Sequence, residues 1–403
     1  MFRKIDRNLL GKIILQSNLK SKINCIILSN EYTSTKNKIK KICGDDFVEL
    51  PFISGFAVAC TITNVYSIAK LNCVRFISSD MKVSSLIFKS KKFLKTNLIE
   101  SKANLETKHT VVVIDTGIYP HIDFVLGKNR VIKFVDLIND KKEMYDDNGH
   151  GTFVSGILCG SGIAQNYSGI DTNMDLIVIK ALDSAGETTS IKILQAMQWV
   201  LDNKEKYNIK VVCMSFGSIV GEKNDPLMFG AETLWNSGIC VVSAGGNSGP
   251  DEGTIMSPGS SKKIITVGSL DKIDFGLKVA DFSSRGPVFN YYKPDMLVPG
   301  VDVISTNVFE KDHKFYTKMT GTSVSTPMVA GIVSLLYSIN FNYTPDQIKY
   351  MLINSCVKIS GDRNSEGFGY LDLEKLILLE KKLHFIMQFF WWLLCTFEYL
   401  FLN

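Results

Sequence analysis

The stretch Val111-Val-Val-Ile-Asp-Thr-Gly-Ile118 decides how the chain is read: four β-branched residues in a row, then a carboxylate, then a glycine turn. A run that is apolar at consecutive rather than alternate positions suits a strand covered on both faces. Runs of the same kind recur at 175–180 (DLIVIK), 211–215 (VVCMS), 240–244 (CVVSA) and 264–268 (IITVG). Between them, residues 191–203 place Leu194, Met197, Val200 and Leu201 on one helical face, and Gly238 ends a second helix before Cys240. Strands alternating with helices predict an α/β fold, a doubly wound, mostly parallel sheet with helices on both faces. In such a fold, sites lie at the carboxyl ends of the strands.

Upstream, residues 23–29, 55–63 and 74–78 read as strands and the region near 64–71 as a helix, which makes a small α+β unit. A Lys-rich, aperiodic stretch at 89–108 follows and reads as an exposed linker open to proteases. The expected division is therefore an α+β domain with linker at 1–97, the α/β domain at 107–380 and an apolar tail at 384–403. At 403 residues the chain is long enough for one large or two ordinary domains. Its 45 basic and 40 acidic residues give a net charge of +5 that no face of the sequence concentrates as a nucleic-acid binder would, so nucleic acid is not the expected partner. Nine cysteines, odd in number and without a CxxC pair, read as small buried residues in a reducing compartment. Charged Arg3, Lys4, Asp6 and Arg7 are followed by no apolar signal region, so the expected location is the cytoplasm. The tail segment 385–397 (FIMQFFWWLLCTF) is short of the roughly 20 residues of a bilayer span and carries Trp391 and Trp392 at its middle. A helix packed on the domain or an interfacial anchor is preferred over a span, and membrane association through this tail is left open.

Four polar residues stand at strand ends or helix starts. Asp115 closes the first strand. His150 lies in Asp146-Asp-Asn-Gly-His-Gly-Thr152, between glycines that would leave its ring open to approach. Asn247 ends Val241-Val-Ser-Ala-Gly-Gly-Asn247, and Ser323 lies in Met319-Thr-Gly-Thr-Ser-Val-Ser-Thr-Pro-Met328, where a glycine-threonine turn opens a helix. Alone, Asp115 is an N-cap or turn residue, His150 a structural histidine and Asn247 a turn amide. Together, in the order Asp, His, Asn, Ser on one sheet, they point to nucleophilic catalysis with an amide aimed at developing negative charge.

These motifs (DTGI, DNGHGT, MSFG, SAGGN, ADFSSRGP, KPDMLVPG and GTSVSTP) resemble those of the subtilisin-like serine peptidases, the subtilases, over about residues 107–375. Within the family, SGIAQNYSGI and GPDEGTIMSPGSSKKIITVGSLD are similar to the intracellular AprX type. The resemblance implies a subtilisin-like fold and a serine endopeptidase: Ser323 as nucleophile, His150 as base and acid, Asp115 as the group that orients it, Asn247 as oxyanion donor. It implies further that Ser215-Phe216-Gly217 pairs with an extended peptide substrate and that Ala244-Gly245-Gly246 walls the primary pocket, with Met256 at its floor and an apolar preference before the cut. The N-terminal unit then looks like the inhibitory propeptide of a zymogen, a partner carried on the same chain. No metal or cofactor is required. Calcium is left open through Asp123, which stands where secreted relatives supply a ligand; with 162–168 lacking their Asn-rich loop, a structural Asp123 and His121 are preferred. Phe153, Asp171-Thr172 and Val324-Ser325 depart from the usual pattern without touching the four residues. The rival readings are a silenced subtilase that binds peptides as a regulator, and an esterase or amidase on another α/β scaffold. The latter lacks its expected GxSxG elbow around Ser323.

Overall fold

The computed structural model describes residues 4–6, 9–10, 13, 22–80, 82–85, 108–163, 167–219, 224–273, 276–308 and 314–382. The expected linker at 89–108, Lys108 apart, and the tail at 384–403 lie outside the described residues.

In the N-terminal unit, β1 (Lys22–Ser29), β2 (Phe47–Leu50), β3 (Gly55–Thr61) and β4 (Val74–Ser79) form an antiparallel sheet in the order β2-β3-β1-β4. Helices α1 (Tyr32–Cys43) and α2 (Ile62–Ala69) pack against it. The strand that follows, β5 (Lys82–Ser85), leaves this sheet.

The larger domain is built on a ten-stranded sheet. Its strands β6 (Thr110–Asp115), β7 (Val131–Asp136), β8 (Asp175–Lys180), β10 (Ile209–Met214), β12 (Cys240–Ala244), β13 (Ile265–Ile273) and β14 (Met296–Pro299) are parallel, in the order β7-β8-β6-β10-β12-β13-β14. Two short strands, β9 (Glu187–Thr189) and β11 (Phe216–Gly217), lie off it. Helices α3 (His150–Cys159) and α6 (Thr322–Ile339) pack together as one layer, and α4 (Ser190–Asn203) and α5 (Pro226–Asn236) as the other. This is the expected doubly wound, mostly parallel sheet. Every residue of β6 is buried, as its unbroken β-branched run requires. Strand β7 escaped the sequence reading because it is an edge strand with Ile132 and Lys133 exposed. In α4 the buried face runs through Ile193, Leu194, Ala196, Met197 and Val200, whereas Leu201 is only half-buried. Helix α6 is long and apolar enough to cross a membrane, but 94% of it is buried inside the domain. It reads as apolar all round because it is a core helix.

The pleat of the N-terminal sheet joins the two units. Along β1, Cys25 and Ile27 point into a core shared with Val65 and Ile68 of α2, while Ile26 and Leu28 point the other way. That second face, with Ala57 and Phe76, merges into the core of the larger domain. Phe52 donates its N–H to Gln198 of α4, the Arg75 guanidinium lies 4.8 Å from the centre of the Phe229 ring of α5, and Asp80 accepts the N–H of Ile191 at the start of α4. A carboxylate at a helix N-terminus is favoured by the dipole there.

Asp171, one of the departures from the usual pattern, has a defined use. Ser334 in the middle of α6 donates to Asp171 at 2.7 Å, and His109, just before β6, contacts the same hydroxyl through Nε2 at 2.7 Å. All three are buried. Since Ser334 gives its one hydrogen to Asp171, the His109 ring donates from Nε2, and its Nδ1 is left buried without a partner. Burial holds this imidazole below the ordinary histidine range; Lys210 adds to that, while Asp171 and Asp175 oppose it. The folded state thus binds the proton less readily than the unfolded chain, so this contribution is complete above about pH 6.5 and is lost as pH falls below it. The unfolding free energy of the wild type should fall faster below pH 6.5 than that of His109→Gln, by at most about 1.4 kcal/mol per pH unit, in urea titrations at stepped pH. Parallel curves would refute it.

Candidate active site

Asp115 is the last residue of β6 and is fully buried. Its Oδ1 accepts the N–H of Thr116 at 2.7 Å and meets His150 Nδ1 at 2.7 Å. His150 opens α3 behind Gly149, whose φ of 104° is in the left-handed region that glycine favours. Asp146 organises the approach: its Oδ1 accepts from Thr116 Oγ1, Asn148 N and Gly149 N, and its Oδ2 from Thr152 N and Oγ1. The glycine after His150 has a use different from the openness expected of it. A Cβ on Gly151 would lie 2.2 Å from the Gly117 carbonyl oxygen, so the absent side chain lets the helix start touch the turn that follows Asp115. His150 is itself 1% exposed. Burial disfavours its cation, but the Asp115 carboxylate, helped by Asp146, outweighs burial and raises the imidazole above its ordinary range.

Ser323 is the second residue of α6 and is buried at the same end of the sheet, the carboxyl end of the strands. The structure closes the bond between Asp115 and His150 but not one between His150 and Ser323, since His150 Nε2 is buried without a hydrogen-bond partner. Pro327, inside α6, has no N–H to return to the Ser323 carbonyl one turn back. Beside Ser323, the Asn247 carbonyl oxygen accepts from Thr322 N at 2.9 Å and Thr322 Oγ1 at 3.0 Å. That fixes the amide: Oδ1 is held by the helix N-terminus, and Nδ2 is left buried and without a partner. Thr322 is a residue whose part here the sequence reading missed, although it lies inside the GTS motif.

The residues expected to bind substrate lie at and just beyond the ends of β10 and β12. Ser215 joins β10 to β11; Phe216 turns its side chain into the core and Gly217 lies against Met256, whose Cβ would be 2.7 Å from a Cβ placed there. Ala244 and Gly245 end and follow β12, and Gly246 (φ 118°) also faces Met256, with Sδ 3.0 Å from an added Cβ. Nothing in the sequence announces the strand that pairs beside them. Strand β5 runs antiparallel between β9 and β11, pairing Lys82 with Thr189, Val83 with Thr188, Ser84 with both Glu187 and Gly217, and Ser85 with Phe216. Lys82-Val-Ser-Ser85 has neither apolar alternation nor a turn signal, so only its neighbours make it a strand.

Among the described residues no three His, Cys, Asp or Glu gather as metal ligands. Asp123 does not fit calcium: Tyr316 Oη donates to both its oxygens at 2.9 Å, and Gly162 N donates to Oδ2 at 2.9 Å. Donors aimed at those lone pairs make it a structural carboxylate. His121 accepts the Asp123 N–H through Nδ1 and contacts the Phe315 carbonyl through Nε2.

Residues 106–370 match the family model of the subtilases, Peptidase S8. The chain is 40% identical over 294 residues to "Serine protease AprX" of Bacillus subtilis (strain 168), an alignment that covers 66% of each chain. It is 32% identical over 264 residues to "Thermophilic serine proteinase" of Bacillus sp. (strain AK1), covering 65% of this chain and 60% of that one. The chain thus spans roughly two thirds of the length of these relatives. Its fold is similar to the crystal structure of fervidolysin from Fervidobacterium pennivorans, a keratinolytic enzyme related to subtilisin, with a TM-score of 0.74 at 20% identity over 93% of this chain and 62% of that one. On the matched family model and on the fold, the chain belongs to the subtilase family of peptidases, family S8.

Proposed function

We propose that this protein is a serine endopeptidase in which Ser323 attacks the peptide carbonyl, His150 moves the proton and Asp115 orients and stabilises the imidazolium. The observation that carries the reading is the 2.7 Å contact between His150 Nδ1 and Asp115, two side chains that are both buried. A serine hydroxyl is a weak nucleophile near neutral pH and needs such a base. As the Ser323 Oγ–carbon bond forms, its proton passes to His150 Nε2 and the carbonyl oxygen becomes an oxyanion. The Asn247 Nδ2 amide, with the Ser323 N–H, would receive that charge. His150 then gives the proton to the leaving amine as the C–N bond breaks, and water repeats the sequence on the acyl-enzyme. No metal enters any step.

The edge of β11 supports extended peptides as substrates, gripped through main-chain pairing. Met256, against Gly217 and Gly246, makes the primary pocket apolar, in keeping with an apolar preference before the cut. The first peptide on that edge is the chain's own β5, so we read the N-terminal unit as an inhibitor that is also the first substrate. The described cysteines are free thiols, which suits a reducing cytoplasm.

A fluorophosphonate should label the wild type and not Ser323→Ala, and mass spectrometry should find an N-terminal piece lost only from the wild type. The cut is expected beyond Ser85, where the sequence continues with apolar Leu86-Ile87-Phe88. A wild type that stays whole and unlabelled would sink the proposal. Asn247→Ala should lower kcat by about 100- to 1000-fold with an unchanged circular dichroism spectrum. The raised His150 value predicts that kcat/KM falls with acidification through an apparent pKa above 6.5, because the base is lost on protonation; Asp115→Asn should shift that limb down while abolishing most activity.

A further inference from the structure

Lys180 ends β8, the strand whose run in sequence is DLIVIK at 175–180. In the structure it is completely buried. It lies in register with Asp115 on the neighbouring strand, each being the last residue of its strand. Its ammonium makes three contacts: the Thr116 carbonyl at 2.6 Å, the Leu182 carbonyl at 3.0 Å and Asp147 Oδ1 at 2.7 Å. Three acceptors match three N–H donors, and the Tyr145 ring covers the group from 5.0 Å. We infer that Lys180 is a positioning residue for the proposed catalytic pair: its buried ammonium clamps the turn after Asp115 to the loop before His150.

The two ends of the clamp are what give it this meaning. Thr116 is the residue after Asp115; its N–H holds Asp115 Oδ1, and its hydroxyl links Asp146 to the Gly151 N–H. A shift of the Thr116 carbonyl would therefore move the carboxylate and the start of α3 together. Asp147 is three residues before His150, in the loop that Asp146 also holds. Burying an ammonium is costly unless all its hydrogens are bonded, and an apolar side chain at the end of a buried strand would avoid that cost. An apolar side chain, however, could not join two carbonyls and a carboxylate from three separate stretches. A compact cation with rotatable donors can, which a planar guanidinium in the same space cannot. The side chain acts only through Asp115 and His150 and touches no reacting atom.

This inference rests on the triad reading, so the test separates the two. In the full chain, Lys180→Met and Asp147→Asn would be compared with wild type for kcat, KM on a peptide amide, the second-order rate of fluorophosphonate labelling, and melting temperature. Lys180→Met should reduce kcat and the labelling rate together by about 10- to 100-fold, the order expected when catalytic groups are displaced by about 1 Å, with KM within about twofold. Asp147→Asn keeps the ammonium and loses a charge partner that is 38% exposed, so a drop of only about two- to fivefold is expected there. Should Lys180→Met fail to fold, the Asp147→Asn change in kcat at constant KM decides the matter. Unchanged kcat and labelling per folded molecule, or a loss that appears only in KM or only in melting temperature, would overturn the clamp. Undiminished labelling of Ser323→Ala would overturn the triad instead.

Discussion

Asp115 and His150 are both buried, and they meet because two stretches of main chain touch. A carboxylate with no exposed surface needs hydrogen bonds in place of its lost hydration, and at Asp115 the Thr116 N–H and the imidazole supply two, both to Oδ1. The contact between Gly151 and Gly117 sets the distance: any side chain on Gly151 would push α3 off the end of β6. Asp146 then secures the loop between them with five hydrogen bonds from Thr116, Asn148, Gly149 and Thr152. The sheet contributes by placing β6 in its interior, so that the strand end carrying Asp115 is flanked by β8 and β10.

The same sheet logic governs the N-terminal unit. Its strands alternate between a private core under α1 and α2 and a shared core with the larger domain, so the unit has no spare wet face toward its partner. From β4 the chain passes Asp80, held at the start of α4, to β5, which finds an edge on each side in β9 and β11. A strand with unpaired neighbours on both sides gains main-chain hydrogen bonds without any demand on its side chains. That is why so plain a sequence as Lys-Val-Ser-Ser can hold the position.

What the sequence disclosed and what it withheld divide along this line. Contiguous strings such as Val111 to Thr116 or Gly149 to Thr152 carry local geometry, and local geometry was readable: the buried run of β6, the carboxylate at its end, the glycines by the histidine. Features made by partners distant in the chain were not. β5 is a strand only because β9 and β11 bracket it, and β7 is half-exposed at an edge where no apolar run is needed. Asp171 read as a departure without consequence, yet it anchors the chain of contacts through Ser334 to His109. Lys180 looked like a strand terminus, because nothing in its neighbours along the sequence reveals three acceptors converging on its ammonium.

The hydrogen-bond accounting around the site separates scaffold from chemistry. Lys180 and Asp146, behind the pair, have their polar atoms bonded, and buried groups so satisfied are rigid. At the pair itself the rule reverses: Asp115 Oδ2, His150 Nε2 and Asn247 Nδ2 are all buried and lack partners. Each such atom costs about 1 to 3 kcal/mol, and folded proteins rarely place several together without a reason. His150 has one nitrogen fixed by Asp115 and the other unengaged; Asn247 has its oxygen fixed by Thr322 and its amide unengaged. In both, the side chain is oriented through one polar atom so that the second is presented. In the proposed mechanism a reacting hydroxyl and a nascent oxyanion would bond those two atoms, so that the transition state would gain what the resting site forgoes.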